Sequence, residues 1–150
     1  YFSALGARII YYDDNLKKTT SNKYKYVALD ELLKKSDIIS LHIDYSKKNL
    51  NFINISHFDL MKNSAVFINT SRGELINGSD LVYSLKNNKI LGAAIDVISD
   101  EFNYKNSPEI IYYSTNPNNL IITPHIGGNT YESFEKTEEF ILAKLEKIIS

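Results

Sequence analysis

The sequence predicts a doubly wound α/β domain with a mainly parallel sheet. Short apolar runs typical of strands recur along the chain, at residues 7–12, 37–43, 65–69, 90–97 and 119–123. Helix-like segments lie between several of them, at residues 29–35, 56–62 and 79–87. The runs are almost continuously apolar, as expected for a parallel sheet that helices cover on both faces. Strands that alternate with helices in this way favour the doubly wound architecture.

N-cap residues and apolar faces support the prediction of these helices. Ser56 and Ser79 are predicted N-caps, because a serine side chain accepts hydrogen bonds from the first backbone N–H groups of a helix. Leu81, Val82 and Leu85 share one face of the helix that starts at Ser79. A long final helix is predicted to begin at residues 130–132. We expect an apolar stripe on it to pack against the core, formed by Phe140, Leu142, Leu145 and Ile148.

Two other segments carry local signals. Residues 1–5 are typical of the last turn of a helix, and Gly6 suits the left-handed position that follows a helix end. We therefore expect the chain to begin inside a domain. Residues 101–119 contain three tyrosines and two prolines and are predicted to form a long loop. Loops of that length in compact domains are often functional.

Composition excludes several classes of function. At 150 residues and 43% hydrophobic content, the chain can form one globular core, and no apolar run is long enough to cross a membrane. Seventeen basic against eighteen acidic residues give a net charge of -1, so no overall field attracts nucleic acid or an anionic membrane. The absence of cysteine excludes disulfides and a thiol nucleophile. The histidines lack metal-ligand spacing, so no metal site is predicted.

Polar residues follow the predicted strands, at the edge where doubly wound sheets bind ligands. Asp13 follows the first strand, where an acidic residue accepts hydrogen bonds from ribose hydroxyls and repels a 2′-phosphate, which favours NAD over NADP. Asp13 is equally compatible with a simple turn. Arg72 follows the third strand and has the planar donors that bind an anionic substrate, although a surface pair with Glu74 is an alternative.

The last two strands add an acid and its partner. Asp96 and Glu101 follow the fourth strand and His125 follows the fifth. Together with Arg72, they form a set that can reduce a 2-oxo acid. Arg72 would hold the carboxylate, His125 would donate a proton to the carbonyl oxygen, and Glu101 would orient the imidazole and stabilise its charged form. Taken alone, His125 is also compatible with an ordinary loop residue.

With these residues in order, the chain resembles the D-isomer-specific 2-hydroxyacid dehydrogenases, which include D-lactate, D-3-phosphoglycerate and glycerate dehydrogenases. Motifs across nearly all 150 residues carry the resemblance: "YDD", "SDIISLHI", "LMKNSAVFINTSRGELIN", "LGAAIDV" and "NLIITPHIGG". It implies a Rossmann-type NAD-binding domain. It also implies that the catalytic residues are Arg72, Glu101 and His125. The implied neighbours of NAD are Asp13, His42, Thr70, Ser71, Arg72, Asp96, His125, Gly127 and Gly128.

The chain departs from the family pattern in several places. The first strand, the glycine-rich GxGxxG turn that cradles the pyrophosphate, and the substrate domain have no counterpart in these residues. Where the family commonly has "HxPxT" the chain has "HIDYS", with Asp44 in place of proline, and Phe102 replaces the proline after Glu101. We therefore expect residues 1–150 to be a partial NAD-binding domain.

The expected function of the parent protein is NAD-dependent interconversion of a D-2-hydroxy acid and its 2-oxo acid. The expected partners are the small-molecule substrate and a second copy in a cytoplasmic homodimer, without nucleic acid or membrane. Two alternatives stay open at this stage. One is an NAD-binding regulatory module similar to corepressors of this fold. The other is an inactive fragment, since the isolated residues are expected to bind NAD weakly.

Overall fold

The computed structural model describes residues 2–14, 23–115 and 117–149. It confirms the predicted α/β class. Four parallel strands form the main sheet in chain order, namely β3 (Ile38–Leu41), β4 (Val66–Asn69), β5 (Gly92–Ile95) and β6 (Leu120–Ile122). Two further strands, β1 (Ile10–Tyr11) and β2 (Lys25–Tyr26), form a separate parallel pair. The helices are α1 (Leu29–Lys35), α2 (Ile55–Phe58), α3 (Gly78–Lys86), α4 (Pro108–Thr115) and α5 (Tyr131–Ile149).

The topology brings the strand ends together. A helix connects each pair of neighbouring strands in the main sheet, as α2, α3 and α4 do in turn. In the register, Leu41 pairs with Asn69 and Asn69 with Ile95, so these strands finish level with one another. The residues that follow them therefore lie along one edge of the sheet, which is where the predicted site residues occur.

The core lies between the sheet and the helices. Phe58 of α2 and Phe67 of β4 are fully buried and meet edge to face, with ring centroids 5.5 Å apart. Burial of side chains this large stabilises the fold by about 2 to 3 kcal/mol each. Burial alternates along β3, where Ile39 is buried but Ile38 is 53% exposed. Within the described residues, one face of β3 is therefore more buried than the other. The sequence pattern had predicted that helices bury both faces of the sheet.

Several predicted details were wrong. The predicted loop at residues 101–119 contains α4, which begins at Pro108, a residue whose fixed φ suits the first turn of a helix. The caps are also displaced by two residues. Asn54 accepts a hydrogen bond from the Ser56 N–H, and Asn77 accepts one from the Asp80 N–H, each at 3.1 Å. Asparagine and serine cap helices almost equally well, so the sequence pattern did not distinguish them.

The start of the chain matches the prediction more closely. Phe2–Leu5 form a 3-10 turn, and Gly6 follows it with a φ of 84°. That positive φ is the left-handed conformation expected after a helical segment. Tyr1 lies outside the described residues.

The final helix forms as predicted, but its apolar stripe does not pack against the core. Phe140, Leu142, Leu145 and Ile148 are between 50% and 79% exposed, and α5 contains no buried residue. An amphipathic pattern shows which face of a helix is apolar but does not identify what covers that face. In the part of the chain that the structure describes, no helix is long and apolar enough to span a membrane.

Candidate active site

Two clefts open at the carboxyl edge of the main sheet. The polar cleft has a volume of about 450 Å³ and follows β3 and β4; its lining residues are His42, Ile43, Asp44, Tyr45, Thr70, Ser71 and Arg72. The apolar cleft has a volume of about 480 Å³ and follows β5 and β6; its lining residues are Asp96, Val97, Ile98, Glu101, Tyr104, Ile110, Tyr113, Ile122, Thr123, Pro124 and His125. The predicted catalytic residues are divided between the two clefts.

Hydrogen bonds fix the walls of the polar cleft. Ser71 Oγ donates to the Leu41 carbonyl at 2.8 Å, which ties the end of β4 to the end of β3. The fully buried Asn69 side chain accepts from the Ser71 N–H at 3.0 Å and donates to the Arg72 carbonyl at 2.9 Å. The turn at residues 70–72 is therefore held in place before any ligand binds. The His42 ring is oriented by a 2.8 Å hydrogen bond between its Nε2 and Ser40 Oγ.

Arg72 lines the polar cleft. Its Nη1 donates to the Ser71 carbonyl at 2.6 Å, and its side chain is exposed. Among the described residues, Arg72 forms no salt bridge with Glu74, the alternative partner that the sequence allowed. The remaining guanidinium N–H groups are therefore available to a carboxylate ligand, for which the planar fork is suited.

Gly73 sets the spacing between the two clefts. A Cβ atom at this position would lie 1.9 Å from the carbonyl carbon of Ile98. Only glycine lets the turn after Arg72 pack this closely against the backbone after β5. The wall of the polar cleft is thus in direct contact with the wall of the apolar cleft.

The His125 imidazole and the Glu101 carboxylate are in contact, and both residues line the apolar cleft. The His125 Nδ1 lies 2.8 Å from one Glu101 carboxylate oxygen and 3.0 Å from the other. Both side chains are about half exposed, at 46% and 45%, so a ligand can reach the imidazole. His125 has a backbone φ of 53°. This left-handed conformation costs conformational energy in residues other than glycine. The backbone N–H of His125 donates to the backbone carbonyls of Asp96 and Thr123, at 2.9 and 3.0 Å. These hydrogen bonds hold the left-handed conformation in place.

Asp96 anchors the loop that carries His125. Its side chain is only 6% exposed, and its carboxylate accepts hydrogen bonds from the Gly127 N–H at 2.8 Å, from the Ile126 N–H at 3.1 Å and from the Thr123 hydroxyl. Burial is the largest single effect and raises the pKa of Asp96. These three hydrogen bonds and the nearby His125 together outweigh burial, so the pKa lies below its ordinary value. Asp96 is therefore ionised at neutral pH.

Gly127, Gly128 and Asp13, the remaining predicted site residues, have different surroundings, and so does His57, which was not a predicted site residue. A Cβ atom at Gly127 would lie 2.9 Å from the Asp96 carboxylate, whereas one at Gly128 would meet no atom of the described residues within 4 Å. Asp13 lies just after β1 and outside the residues that line the two clefts. His57 lies in α2, beside Asn54 and Phe52, and burial lowers its pKa.

Sequence reasoning did not identify several residues of these clefts. Tyr104, Ile110 and Tyr113 line the apolar cleft from a segment that was interpreted as a loop. The available signal for a helix there is Pro108, which suits the first turn of a helix, followed by four consecutive apolar residues, 110–113. The apolar run 65–69 predicts Asn69 only as a strand end, whereas in the structure its buried amide braces the turn that follows.

Comparisons with known proteins identify the family of this chain. The sequence profile described as "D-isomer specific 2-hydroxyacid dehydrogenase, NAD binding domain" matches residues 1–127. The D-3-phosphoglycerate dehydrogenase of Haemophilus influenzae is 34% identical over 144 residues, which are 96% of this chain and 35% of that protein. The chain spans 35% to 41% of the length of the first curated relatives that it matches.

Two solved structures show the same fold. The NAD-complexed form of a D-isomer specific 2-hydroxyacid dehydrogenase from Lactobacillus delbrueckii ssp. bulgaricus is 29% identical with a TM-score of 0.87, and the match covers 99% of this chain and 47% of that one. The D-lactate dehydrogenase with NAD+ from Lactobacillus jensenii is 31% identical with a TM-score of 0.83, and the match covers 95% and 45%. The chain therefore belongs to the D-isomer specific 2-hydroxyacid dehydrogenase family, within its NAD-binding domain.

Proposed function

We propose that the protein containing this chain is an NAD-dependent oxidoreductase that interconverts a D-2-hydroxy acid and its 2-oxo acid. The observation that carries the proposal is the contact between His125 Nδ1 and Glu101, at 2.8 Å and at the carboxyl edge of a parallel sheet. A histidine oriented by a carboxylate is suited to general acid–base chemistry near neutral pH.

In this proposal the contact with Glu101 assigns the reactive nitrogen of His125. Glu101 accepts the hydrogen bond from Nδ1, so Nε2 is the nitrogen that exchanges a proton with the substrate oxygen. In the reductive direction Nε2–H donates to the carbonyl oxygen. In the oxidative direction the neutral Nε2 accepts the hydroxyl proton. Glu101 holds the ring in position and stabilises the positive charge that the imidazole carries in one half of the cycle.

Arg72 binds the substrate carboxylate in this proposal. Arg72 lines the polar cleft, in the turn that Asn69 and Ser71 hold in place. A guanidinium group that forms two parallel hydrogen bonds to the carboxylate fixes the direction of the substrate as well as its position. The same charge polarises the neighbouring carbonyl.

The residues present fit an NAD molecule across the two clefts. The polar cleft suits the nicotinamide end, with His42 and residues 70–72 on its walls. The open space at Gly128 allows a planar ring to approach the backbone of the loop that Asp96 anchors. We assign Asp13 to the adenosine ribose. When bound, the oxidised cofactor would accept hydride from the hydroxy acid, and the reduced cofactor would supply hydride to the oxo acid.

We further propose that residues 1–150 form part of the NAD-binding domain and that the substrate domain lies outside them. The lengths of the curated relatives support this division, because the chain spans less than half of each. The intact protein would act on a small 2-oxo acid as a cytoplasmic homodimer. Analytical ultracentrifugation of the intact protein tests the assembly, since a monomeric mass contradicts it.

The decisive experiment compares two His→Gln variants of the intact protein. NADH oxidation is measured with a panel of pyruvate, glyoxylate, hydroxypyruvate and 4-methyl-2-oxopentanoate. His125→Gln is expected to lower kcat by roughly 100- to 10,000-fold, because the proton donor is lost. The control, His57→Gln, changes the same residue type in α2 and is expected to retain activity.

Two outcomes contradict the proposal. One is an unchanged rate in the His125 variant, provided that circular dichroism shows that both variants are folded. The other is a wild-type protein that binds NAD but turns over no 2-oxo acid in the panel, a result that favours the regulatory alternative.

A further inference from the structure

Asn69 is a buried polar residue at the end of β4 and is not one of the residues that line the two clefts. Its side chain makes two hydrogen bonds to the turn that follows the strand. Oδ1 accepts from the Ser71 N–H at 3.0 Å, and Nδ2 donates to the Arg72 carbonyl at 2.9 Å. A buried polar side chain whose hydrogen bonds are made holds its partners in one arrangement. Any effect of Asn69 on a ligand is therefore transmitted through the residues that it holds.

The two hydrogen bonds need both a donor and an acceptor on one side chain. The Ser71 N–H needs an acceptor and the Arg72 carbonyl needs a donor, and the planar Asn69 amide supplies one of each. An ionised aspartate has the same shape but supplies acceptors only. The Arg72 carbonyl also accepts from the Leu75 N–H, at the longer distance of 3.4 Å. Among the described residues, loss of the Asn69 donor therefore leaves this carbonyl with the longer of its two hydrogen bonds.

The backbone of Asn69 continues the connection to the proposed proton donor. Its carbonyl accepts from the Asp96 N–H at 2.9 Å, and the Asp96 carbonyl accepts from the His125 N–H, also at 2.9 Å. Asn69 therefore connects the Arg72 turn to the backbone of His125 through hydrogen bonds of ordinary length. In a 2-oxo acid the carboxylate and the carbonyl are bonded to each other, so the two groups that bind them must be held at a matching separation.

We propose that Asn69 is a positioning residue for the substrate, which holds the Arg72 turn at the separation from His125 that a 2-oxo acid requires. The inference rests on the proposed function, in which Arg72 binds the carboxylate and His125 donates the proton. Asn69 itself contacts neither the substrate nor the cofactor in this assignment. Loss of its amide is expected to raise KM for the 2-oxo acid, because a displaced guanidinium group binds the carboxylate less well.

The test is a double-mutant cycle on the intact protein, with the most active 2-oxo acid of the panel as substrate. Asn69→Asp keeps the shape of the side chain but removes the donor to the Arg72 carbonyl, so kcat/KM is expected to fall about tenfold, mainly through KM. Arg72→Lys has already lost the planar fork. Adding Asn69→Asp to Arg72→Lys is therefore expected to lower kcat/KM by less than about twofold. A purely structural role of Asn69 would lower kcat/KM by the same factor in both backgrounds.

Asn63→Asp is a matched control at the other end of the same strand. Asn63 precedes β4, and its Nδ2 donates to the Asn88 carbonyl at 3.1 Å. The substitution removes the same kind of hydrogen bond, so kcat/KM is expected to stay within about twofold of the wild-type value.

Asn69→Ser replaces Asn69→Asp in the cycle if the buried carboxylate prevents folding. Serine introduces no charge and lacks the amide donor, so the same difference between the two backgrounds is expected. Circular dichroism shows which variants are folded.

The outcomes separate this inference from the proposed function. If the wild-type protein turns over a 2-oxo acid and a folded Asn69 variant has an unchanged kcat/KM, the Asn69 inference is wrong and the proposed function stands. Equal losses in the wild-type and Arg72→Lys backgrounds, or a tenfold loss in Asn63→Asp, also contradict the inference alone. If the wild-type protein turns over no 2-oxo acid, the proposed function and the Asn69 inference fail together.

Discussion

The polar and apolar clefts lie side by side at one edge of the sheet but are built in opposite ways. The walls of the polar cleft are backbone turns that side-chain hydrogen bonds hold in place, including the turn braced by Asn69. The apolar cleft is formed largely by hydrophobic and aromatic side chains, and its polar groups converge on the His125–Glu101 pair. The first is suited to binding charged and polar groups with fixed geometry. The second places a half-exposed imidazole beside apolar and aromatic side chains.

The difference suggests a division of work between binding and proton transfer. Substitutions in the polar cleft should mainly change the affinity for ligands, whereas substitutions in the apolar cleft should mainly change the rate of the chemical step. Asp96 belongs to both regions, because its N–H bonds to the Asn69 carbonyl at 2.9 Å while its carboxylate holds the loop after β6. Substitutions there should change the stability of the loop.

The largest of these expected effects is at Arg72. Replacement by lysine keeps the charge but removes the planar fork, so we expect kcat/KM for the 2-oxo acid to fall about 100-fold, mainly through KM. Steady-state kinetics of the intact protein measure this. Affinity for NADH should change much less. A fall in kcat with an unchanged KM would mean that the two clefts do not divide the work as described.

A smaller effect is expected at Glu101. Glutamine can still accept a hydrogen bond from His125 Nδ1 but lacks the negative charge, so we expect kcat to fall about tenfold while KM stays nearly constant. Glu74→Gln is a matched control, because Glu74 has the same charge and lies outside both clefts. If Glu101→Gln changes KM rather than kcat, Glu101 serves binding instead of proton transfer.

The smallest effect is expected at Asp96. Asparagine retains one carbonyl acceptor for the loop, so at pH 7 we expect Asp96→Asn to lower the free energy of unfolding by about 1 kcal/mol. The pKa of Asp96 is depressed in the folded chain, so its charged form contributes stability above the ordinary value of 3.8 and loses it as the pH falls through the lower folded value. The difference in the free energy of unfolding between wild type and Asp96→Asn should therefore decrease and disappear as the pH falls below 3.8.

Urea denaturation over a range of pH measures this difference. A gap between wild type and Asp96→Asn that stays constant down to acid pH would show that the carboxylate charge is not what stabilises the loop.

The parts of the fold that depend on local patterns were predictable from the sequence. Each strand of the main sheet lies within a predicted apolar run, because continuous burial leaves a clear signal. Strand β2 was missed, since its two residues, Lys25 and Tyr26, are both exposed and give no such signal. The environment of α5 could not be predicted either, because the pattern of a helix does not specify its partner.

The site was predictable in its residues but not in its arrangement. The order of Arg72, Glu101 and His125 along the strand ends, together with the family resemblance, indicated a shared edge. No spacing rule, however, gives the 2.8 Å contact between residues 24 positions apart in sequence. The allocation of Arg72 to one cleft and His125 to the other depends on turns and loops, where the Asn69 brace and the left-handed φ of His125 decide the geometry. Such features arise from tertiary contacts.

The contact at Gly73 also bears on how the protein could be engineered. A library aimed at new substrates would gain little at this position, because any added carbon atom meets the backbone at Ile98, which cannot move aside as a side chain can. The distance between the two clefts is therefore inherited unchanged by variants that keep the fold. Diversity is better directed to Asp44, Tyr104 and Tyr113, whose side chains line the clefts without setting their separation.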